Sequence, residues 1–125
     1  MHDVGAIAGV RRLVRDLVGI DMPPQRRSDA LLAVTELVTN GLLHGGPGPV
    51  TLWAWLDANR LRVEVHDTGP GLPPDRDWTL PDDGATGGRG LALVRLIADR
   101  AGHDGAPRAK VWFEMDIPVD GNGRH

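Results

Sequence analysis

A long helical pattern that stops abruptly is the feature that most constrains this chain. Apolar residues recur at three- and four-residue intervals from about Gln25 to His44, which predicts one amphipathic helix of the core. The residues that follow, Gly45-Gly46-Pro47-Gly48-Pro49, cannot continue it, because proline lacks the amide donor and glycine favours a terminating turn. A loop must follow, and the remaining elements can be placed relative to this helix.

Two polar residues, Glu36 and Asn40, lie four apart near the end of this pattern. Positions four apart stack on one face of an α-helix, so a carboxylate and an amide would sit together beside the apolar flank. A carboxylate can accept a proton, and an amide oxygen is a hard ligand that suits magnesium. The same spacing is also common on solvated helix faces, so the pair alone leaves both interpretations open.

The other elements follow from the same periodicities. Val4–Val18 predicts an amphipathic first helix whose arginine-rich side is either a solvated face or a contact surface for a partner or a second copy. Alternation predicts strands over Val50–Leu56, Leu61–Val65 and Lys110–Ile117, with Asp57–Arg60 joining the first two as a hairpin. The spacing of the tryptophans in the first strand favours sheet covering or an interface over a ligand cage.

Two glycine-rich turns flank a long loop. Asp67–Gly71 follows the second strand, and Gly87–Gly90 leads into a third helix that begins at Leu91 and is predicted to end at Ala101-Gly102. Bare backbone amides at a helix entrance, helped by the positive end of the helix dipole, favour an anion such as phosphate. The segment between them, about residues 73–87, is rich in proline and aspartate and predicts a surface loop.

Composition narrows the class of protein. With 125 residues, the chain is expected to form one domain over residues 1–125, ending in a polar tail at 120–125. A net charge of -3 gives no electrostatic footprint for nucleic acid, and no apolar run is long enough to span a membrane. The absence of cysteine excludes disulfides and thiolate metal sites, and the first residues lack a signal-peptide pattern, so a cytoplasmic location is the default expectation.

The order and spacing of the three polar clusters resemble the histidine-kinase-like (GHKL, Bergerat) ATPase family. Glu36–Gly45 looks like the N box, Asp67–Gly71 matches the Asp-x-Gly-x-Gly G1 box, and Gly87–Leu91 resembles the G2 box. The bare domain is similar to the anti-sigma-factor serine/threonine kinase branch. This resemblance implies an α/β (α+β) fold, a two-layer sandwich with about three helices on one face of a mixed, mostly antiparallel sheet.

The same resemblance implies ATP and Mg2+ as ligands. Glu36 would be the catalytic base, and Asn40 would hold the magnesium ion that bridges the phosphates. Asp67 would accept the adenine amino group, a contact that guanine cannot supply. Residues 73–87 would be the nucleotide lid, and Arg89 would either contact the terminal phosphate or stay exposed on that lid. The other residues implied in nucleotide binding are Gly69, Gly71, Gly87, Gly88, Gly90 and Leu91.

Two positions depart from the family pattern. Many relatives carry Gly-Lys-Thr where this chain has Arg108-Ala109-Lys110, and Leu43 replaces a basic residue that could reach phosphate. These departures put one adenine contact in doubt and predict a modest affinity for ATP.

Two functions stay open. The first is an ATP-dependent protein serine/threonine kinase that phosphorylates an anti-anti-sigma-type partner and sequesters a sigma factor. The second is a non-catalytic ATP-gated protein-binding module. A histidine kinase proper is disfavoured, because 125 residues leave no room for a dimerising histidine domain. A domain without any nucleotide would require all three motifs to be coincidental.

Overall fold

The computed structural model of the protein has two layers, and it describes residues 4–18, 22–46, 48–57, 59–69, 89–105 and 109–117. Within these ranges, three helices pack on one face of a four-stranded sheet, which confirms the predicted sandwich. The helices are α1 (Val4–Val18), α2 (Pro24–His44) and α3 (Arg89–Ile97), and the strands are β1 (Thr51–Leu56), β2 (Arg60–Asp67), β3 (Arg100–Asp104) and β4 (Ala109–Asp116). No helix in the described ranges combines the length and the apolar character that crossing a bilayer requires.

The strand order is β1-β2-β4-β3, so β2 and β4 are central while β1 and β3 form the edges. Neighbouring strands in this order all pair antiparallel, which confirms the expectation of a mostly antiparallel sheet. The predicted hairpin between β1 and β2 is present. Its turn is held by Asp57, whose Oδ1 accepts the N–H groups of Asn59 and Arg60, each at 2.8 Å.

The hydrophobic core lies between the helices and one face of the sheet. Alternation along β2 and β4 directs every second side chain towards the helices. Phe113 of β4 is completely buried and is the largest such side chain in the described part of the chain. Burying an aromatic or branched side chain of this kind stabilises a fold by about 1.5–3 kcal/mol. The other fully buried large side chains are Leu17, Val34, Leu37, Leu61, Val63, Val65, Val94 and Met115.

Each helix has a defined place on the sheet. α1 packs on the edge strand β1, whereas α2 lies over β2 and β4 and also packs against α3. The start of α2 is tied to the far end of the sheet through Arg26. Its guanidinium pairs with the Asp99 carboxylate and donates to the backbone carbonyl of Asp116 at 3.0 Å. This contact fixes which end of α2 points towards the carboxyl end of β2.

The prediction that the third helix continues to Ala101-Gly102 is wrong. α3 ends at Ile97, and the following residues form the edge strand β3 against β4. Gly102 is not a helix cap but lies opposite Trp112, where an added Cβ would come within 2.7 Å of the indole. β3 contains no β-branched residue, so pairing with β4, rather than intrinsic strand propensity, determines its conformation.

Candidate functional site

The end of α2 and the end of β2 run side by side. A Cβ added to Gly41 would lie 3.2 Å from Val65 Cγ1, and one added to Gly45 would lie 2.7 Å from Asp67 Cβ. Four helical residues rise about 6 Å and two strand residues about 6.6 Å. The step from Gly41 to Gly45 along α2 therefore matches the step from Val65 to Asp67 along β2. The absence of side chains on both glycines lets α2 approach the strand that ends at Asp67. The structure therefore joins the N box to the G1 box directly.

The loop after α2 interlocks with the Asp67–Gly69 turn. Gly46 adopts a left-handed φ of 82°, and a Cβ added there would lie 3.2 Å from Gly69 Cα. The N–H of Gly48 donates to Thr68 Oγ1 at 3.1 Å. The two segments thus meet backbone to backbone, which explains why the sequence places glycines on both sides of the contact.

The carboxylate of Asp67 lies at this junction and is half-buried. It alternates with Val65 along β2 and so faces the helix side of the sheet. Its Oδ1 accepts the N–H of Gly69 at 2.8 Å, which fixes the rotation of the carboxylate. A Cβ on Gly69 would approach the backbone carbonyl oxygen of Gly45 to 2.9 Å, so the turn has no room for a larger residue.

Glu36 and Asn40 both lie on α2 and are half-buried. Their neighbours Leu37 and Gly41 are buried against the core, so the polar pair occupies the flank of the helix next to its sheet-facing side. Among the described residues, no group of three histidine or carboxylate side chains could form a protein-only metal cage. Magnesium is commonly held by one or two protein oxygens together with substrate phosphates, and the Asn40 amide oxygen suits that arrangement.

The start of α3 supplies the remaining described part of the predicted site. Arg89, Gly90 and Leu91 begin this helix, which packs against α2. The side chain of Leu91 is buried in the core, so its position offers a nucleotide only backbone groups. Outside the described residues lie Gly71, Gly87, Gly88, the lid at 73–87 and the polar tail at 120–125.

A cavity of about 370 Å³ opens at the Asp67–Gly69 turn. Thr51 and His66 line it, and they pair with each other across β1 and β2 on the sheet face that the helices leave open. The rest of the cavity lining comes from Pro49, Asp67, Thr68, Gly69, Gly105 and Ala109.

An ionic network that sequence analysis missed covers the open face beside this cavity. Glu64 is buried, and its carboxylate accepts hydrogen bonds from His66 at 2.8 Å and from Arg62 at 2.8 and 2.9 Å. Burial alone would raise the pKa of Glu64, but the hydrogen bonds from His66 and Arg62 and the charge of Lys110 outweigh it and lower the pKa. The alternation of β2 already placed these polar side chains on one face and could have predicted the cluster.

Lys110, one of the two departures from the family pattern, belongs to that network. Its Nζ lies 3.8 Å from Glu64 and 3.7 Å from Asp104. The lysine side chain therefore points to the open face of the sheet, where it forms ion pairs with these two carboxylates. Ala109, its neighbour, pairs with Asp67 across β2 and β4 and offers only a methyl group. Leu43, the other departure, is 71% exposed.

The sequence of the chain matches a known protein family. Residues 2–113 fit the histidine kinase-like ATPase domain family. The chain belongs to this family. ATP binding is implied by that membership, and the kinase-like character of the domain is shared with the relatives that follow.

The ATPase domain is similar to parts of much longer curated proteins. It is 36% identical over 88 residues to blue-light-activated histidine kinase 2 of Erythrobacter litoralis, a match that covers 66% of this chain and 24% of that protein. It is 28% identical over 116 residues to the sensor protein KdpD of Escherichia coli, covering 82% of this chain and 12% of that protein. The chain thus spans at most about a quarter of either relative.

Solved structures place the domain in the same fold. Full-length ShkA in complex with AMPPNP superimposes with a TM-score of 0.58 at 28% identity, covering 76% of this chain and 23% of that one. The likeness supports the sandwich of helices and antiparallel sheet described above.

Proposed function

We propose that this ATPase domain binds ATP with Mg2+ on the helix side of the sheet and transfers the γ-phosphoryl group to a serine or threonine of a partner protein. The observation that carries the proposal is the contact of Gly41 with Val65 and of Gly45 with Asp67. This contact supports the proposal, because it sets the end of α2, which carries Asn40, beside the strand end that carries Asp67.

Asp67 would bind the adenine base of the nucleotide. Its carboxylate is oriented by the Gly69 N–H and half-buried beside Gly45, so an unpaired ligand group there would be costly. An exocyclic amino group satisfies an acidic acceptor, whereas the guanine carbonyl at the same position repels it. The domain is therefore expected to select adenine nucleotides over guanine nucleotides.

The phosphates of the nucleotide would lie along the flank of α2 that carries Glu36 and Asn40. Asn40 would hold the magnesium ion through its amide oxygen, and Glu36, one helical turn earlier, would accept the proton of the attacking hydroxyl. Bound magnesium supplies charge neutralisation to the phosphates. The backbone amides of residues 87–90, at the entrance to α3, would hold phosphate oxygens. Arg89 is the further candidate for the terminal phosphate.

The acceptor and the partner follow from the resemblance to the anti-sigma branch. The expected acceptor is an anti-anti-sigma-type protein, and the expected sequestered partner is a sigma factor. The two curated relatives are named as a histidine kinase and a sensor protein, which makes a histidine acceptor the competing outcome.

A second candidate is a non-catalytic ATP-gated binding module. The observation that favours it is the position of Lys110, which is engaged with Glu64 and Asp104 on the open face. Because Ala109 and Lys110 supply no hydroxyl to the base end, nucleotide affinity is expected to be modest. A module of this kind would need nucleotide binding but no phosphoryl transfer.

Nucleotide binding is tested by thermal unfolding with Mg2+ and either ATP, GTP or no nucleotide. ATP at a hundred times its Kd is expected to raise the Tm by about 10 °C, and GTP at the same concentration by far less. Equal shifts with both nucleotides would contradict the role of Asp67. No shift with either would contradict the whole proposal.

Catalysis is tested with ATP labelled at the γ-phosphate and a candidate acceptor protein. Glu36→Gln is expected to lower phosphoprotein formation by about 10²–10⁴-fold while leaving the ATP-dependent Tm shift in place. Asp29→Asn is the matched control, since it makes the same change of acid to amide earlier on α2. Acid-stable label would support serine or threonine, acid-labile label would support histidine, and no label would favour the binding module.

A further inference from the structure

The cavity at the Asp67–Gly69 turn is larger than a single aromatic ring requires. Its volume is about 370 Å³, whereas an apolar cavity of about 150 Å³ is enough to hold one benzene molecule. Asp67, the candidate acceptor for the adenine amino group, lies on the wall of this cavity. Nucleotide binding as proposed above uses Asp67 but leaves the rest of the space without a role.

The cavity lies on the side of Asp67 away from the predicted phosphate-binding residues. Among the described residues, its lining includes none from α2 or α3, the helices that carry Asn40 and Arg89. It does include Thr51 and His66, which pair with each other on the open side of the sheet. The exocyclic amino group and the ribose are at opposite ends of an adenine base. A nucleotide whose phosphates lie along α2 and whose amino group meets Asp67 would therefore have this cavity beyond its amino group.

Two small residues keep the cavity open near Asp67. Ala109 lines it and pairs directly with Asp67 across β4 and β2. The Cβ atoms of such a pair lie about 4.5–5.5 Å apart, so a side chain larger than this methyl group would take up the space next to the carboxylate. Gly105, the residue after β3, also lines the cavity, and a Cβ added there would meet no atom within 4 Å.

From these features we infer that Ala109 and Gly105 allow the site to accept adenine nucleotides that carry one uncharged substituent, up to the size of a benzyl group, on the exocyclic amino group. This inference rests on the proposed nucleotide site and names a substrate class for it. The amino group of adenine has two hydrogens, and one of them satisfies Asp67. A single substituent replaces the other hydrogen and would extend into the cavity, whereas two substituents leave no donor for the carboxylate.

The surroundings of the cavity favour an uncharged substituent. His66 is bonded to Glu64 at 2.8 Å, and Lys110 pairs with Glu64 and Asp104 on the same side of the sheet. Because these charged groups already have partners, a charged substituent would lose its hydration without gaining a counter-ion. An anionic substituent would also lie beside the Asp67 carboxylate, which repels it.

Calorimetric titration of the full chain with Mg2+ and modified nucleotides tests the inference. N6-benzyl-ATP is expected to bind with a Kd within about threefold of that for ATP. N6,N6-dimethyl-ATP, which has no amino hydrogen, and N6-carboxymethyl-ATP, which adds an anion, should each bind at least about tenfold more weakly than ATP. A larger loss than threefold for the benzyl nucleotide, or a dimethyl nucleotide that binds as well as ATP, would overturn the inference.

Side chains that fill the cavity should remove this tolerance. Gly105 has no left-handed φ, so Gly105→Leu is expected to keep the Kd for ATP within about twofold and to weaken N6-benzyl-ATP at least about tenfold. Ala109→Leu should raise the ratio of the two Kd values by a similar factor, and this ratio is independent of any loss of stability at that buried position. Ala54→Leu, at an exposed position of β1 outside the cavity, is the matched control and should change neither Kd.

The ATP measurement separates this inference from the proposed function. If ATP binds and neither cavity variant changes the ratio of the Kd values, the inference is overturned while the nucleotide site stands. If ATP itself does not bind to the original chain, both are overturned.

Discussion

The two faces of the central strands have different tasks although they alternate residue by residue. Towards the helices, β2 presents Val63 and Val65, which are fully buried, and then Asp67 at its end. Towards the open side it presents Arg62, Glu64 and His66, which bond to one another and to β4. The helix-facing side of β2 therefore contributes to the core and carries Asp67, the candidate acceptor for the adenine amino group. The open side carries a network of polar and charged side chains.

This contrast shows that position along a strand, more than residue type, decides what a carboxylate does here. Asp67 and Glu64 are three apart and both accept hydrogen bonds. Asp67 is placed by backbone contacts with Gly45 and Gly69 at the strand end, whereas Glu64 lies within the strand and is enclosed by Arg62, His66 and Lys110. The Asp67 carboxylate is therefore left at an opening beside α2. The charge of the Glu64 carboxylate is instead balanced by its neighbours on the sheet.

The largest expected effect tests which face holds the fold together. Phe113→Ala removes a fully buried ring from the helix side and should lower the free energy of unfolding by about 3–5 kcal/mol. Trp112→Ala removes a half-buried ring from the open side, where the Arg62 guanidinium stacks at 4.5 Å, and should cost about 1 kcal/mol. Denaturant unfolding measures both, and similar losses would contradict the division of tasks.

The next effect tests the junction that positions Asp67. Gly45→Ala would place a Cβ 2.4 Å from the Gly41 carbonyl oxygen and 2.7 Å from Asp67 Cβ, so α2 must move away from the turn. The expected cost is about 3 kcal/mol of stability, together with loss of the ATP-dependent Tm shift. Gly105→Ala is the control, because an added Cβ there meets nothing within 4 Å. A Gly45→Ala protein that binds ATP normally would break the proposed link.

Sequence patterns were sufficient for most of the helix-covered face. The apolar periodicity of α2 and the alternation of β2 and β4 gave the elements that form the core, because burial imposes a regular repeat on them. Their boundaries shifted by only one or two residues. β3 was missed because Arg100–Asp104 has no such repeat, and only its pairing with β4 makes it a strand.

The site was predictable in part for the same reason. Motif spacing placed Glu36 and Asn40 on one helix and Asp67 at a strand end, and the structure brings the ends of these two elements together. The ion pairs of Lys110 could not be read from the chain, since they depend on Glu64 and Asp104 from two neighbouring strands. The roles of Gly71, Gly87 and Gly88, which lie outside the described residues, stay predictions.

The pH dependence of stability tests the contribution of Glu64 on the open face. Because the pKa of Glu64 is lowered in the folded state, its contribution is complete above the unfolded value of about 4.3 and is lost as the pH falls through the folded pKa. Glu64→Gln should cost roughly 1–2 kcal/mol at pH 7 and flatten the fall in stability below about pH 4.5. Unfolding free energies from pH 7 to pH 3 measure this, and identical slopes for both proteins would contradict it.

The smallest expected effect lies where the two faces meet, at Thr68. Thr68→Val keeps the shape of the side chain but removes the hydroxyl that accepts the Gly48 N–H at 3.1 Å. Because this hydrogen bond is exposed, the loss of stability should be about 0.5 kcal/mol. The loop after α2 would be held less firmly against the turn, so the Kd for ATP should rise about two- to threefold. Thr68→Ser keeps the hydroxyl and should bind ATP like the original protein. If the serine variant were impaired as much as the valine variant, the methyl contact and not the hydrogen bond would join the loop to the Asp67 turn.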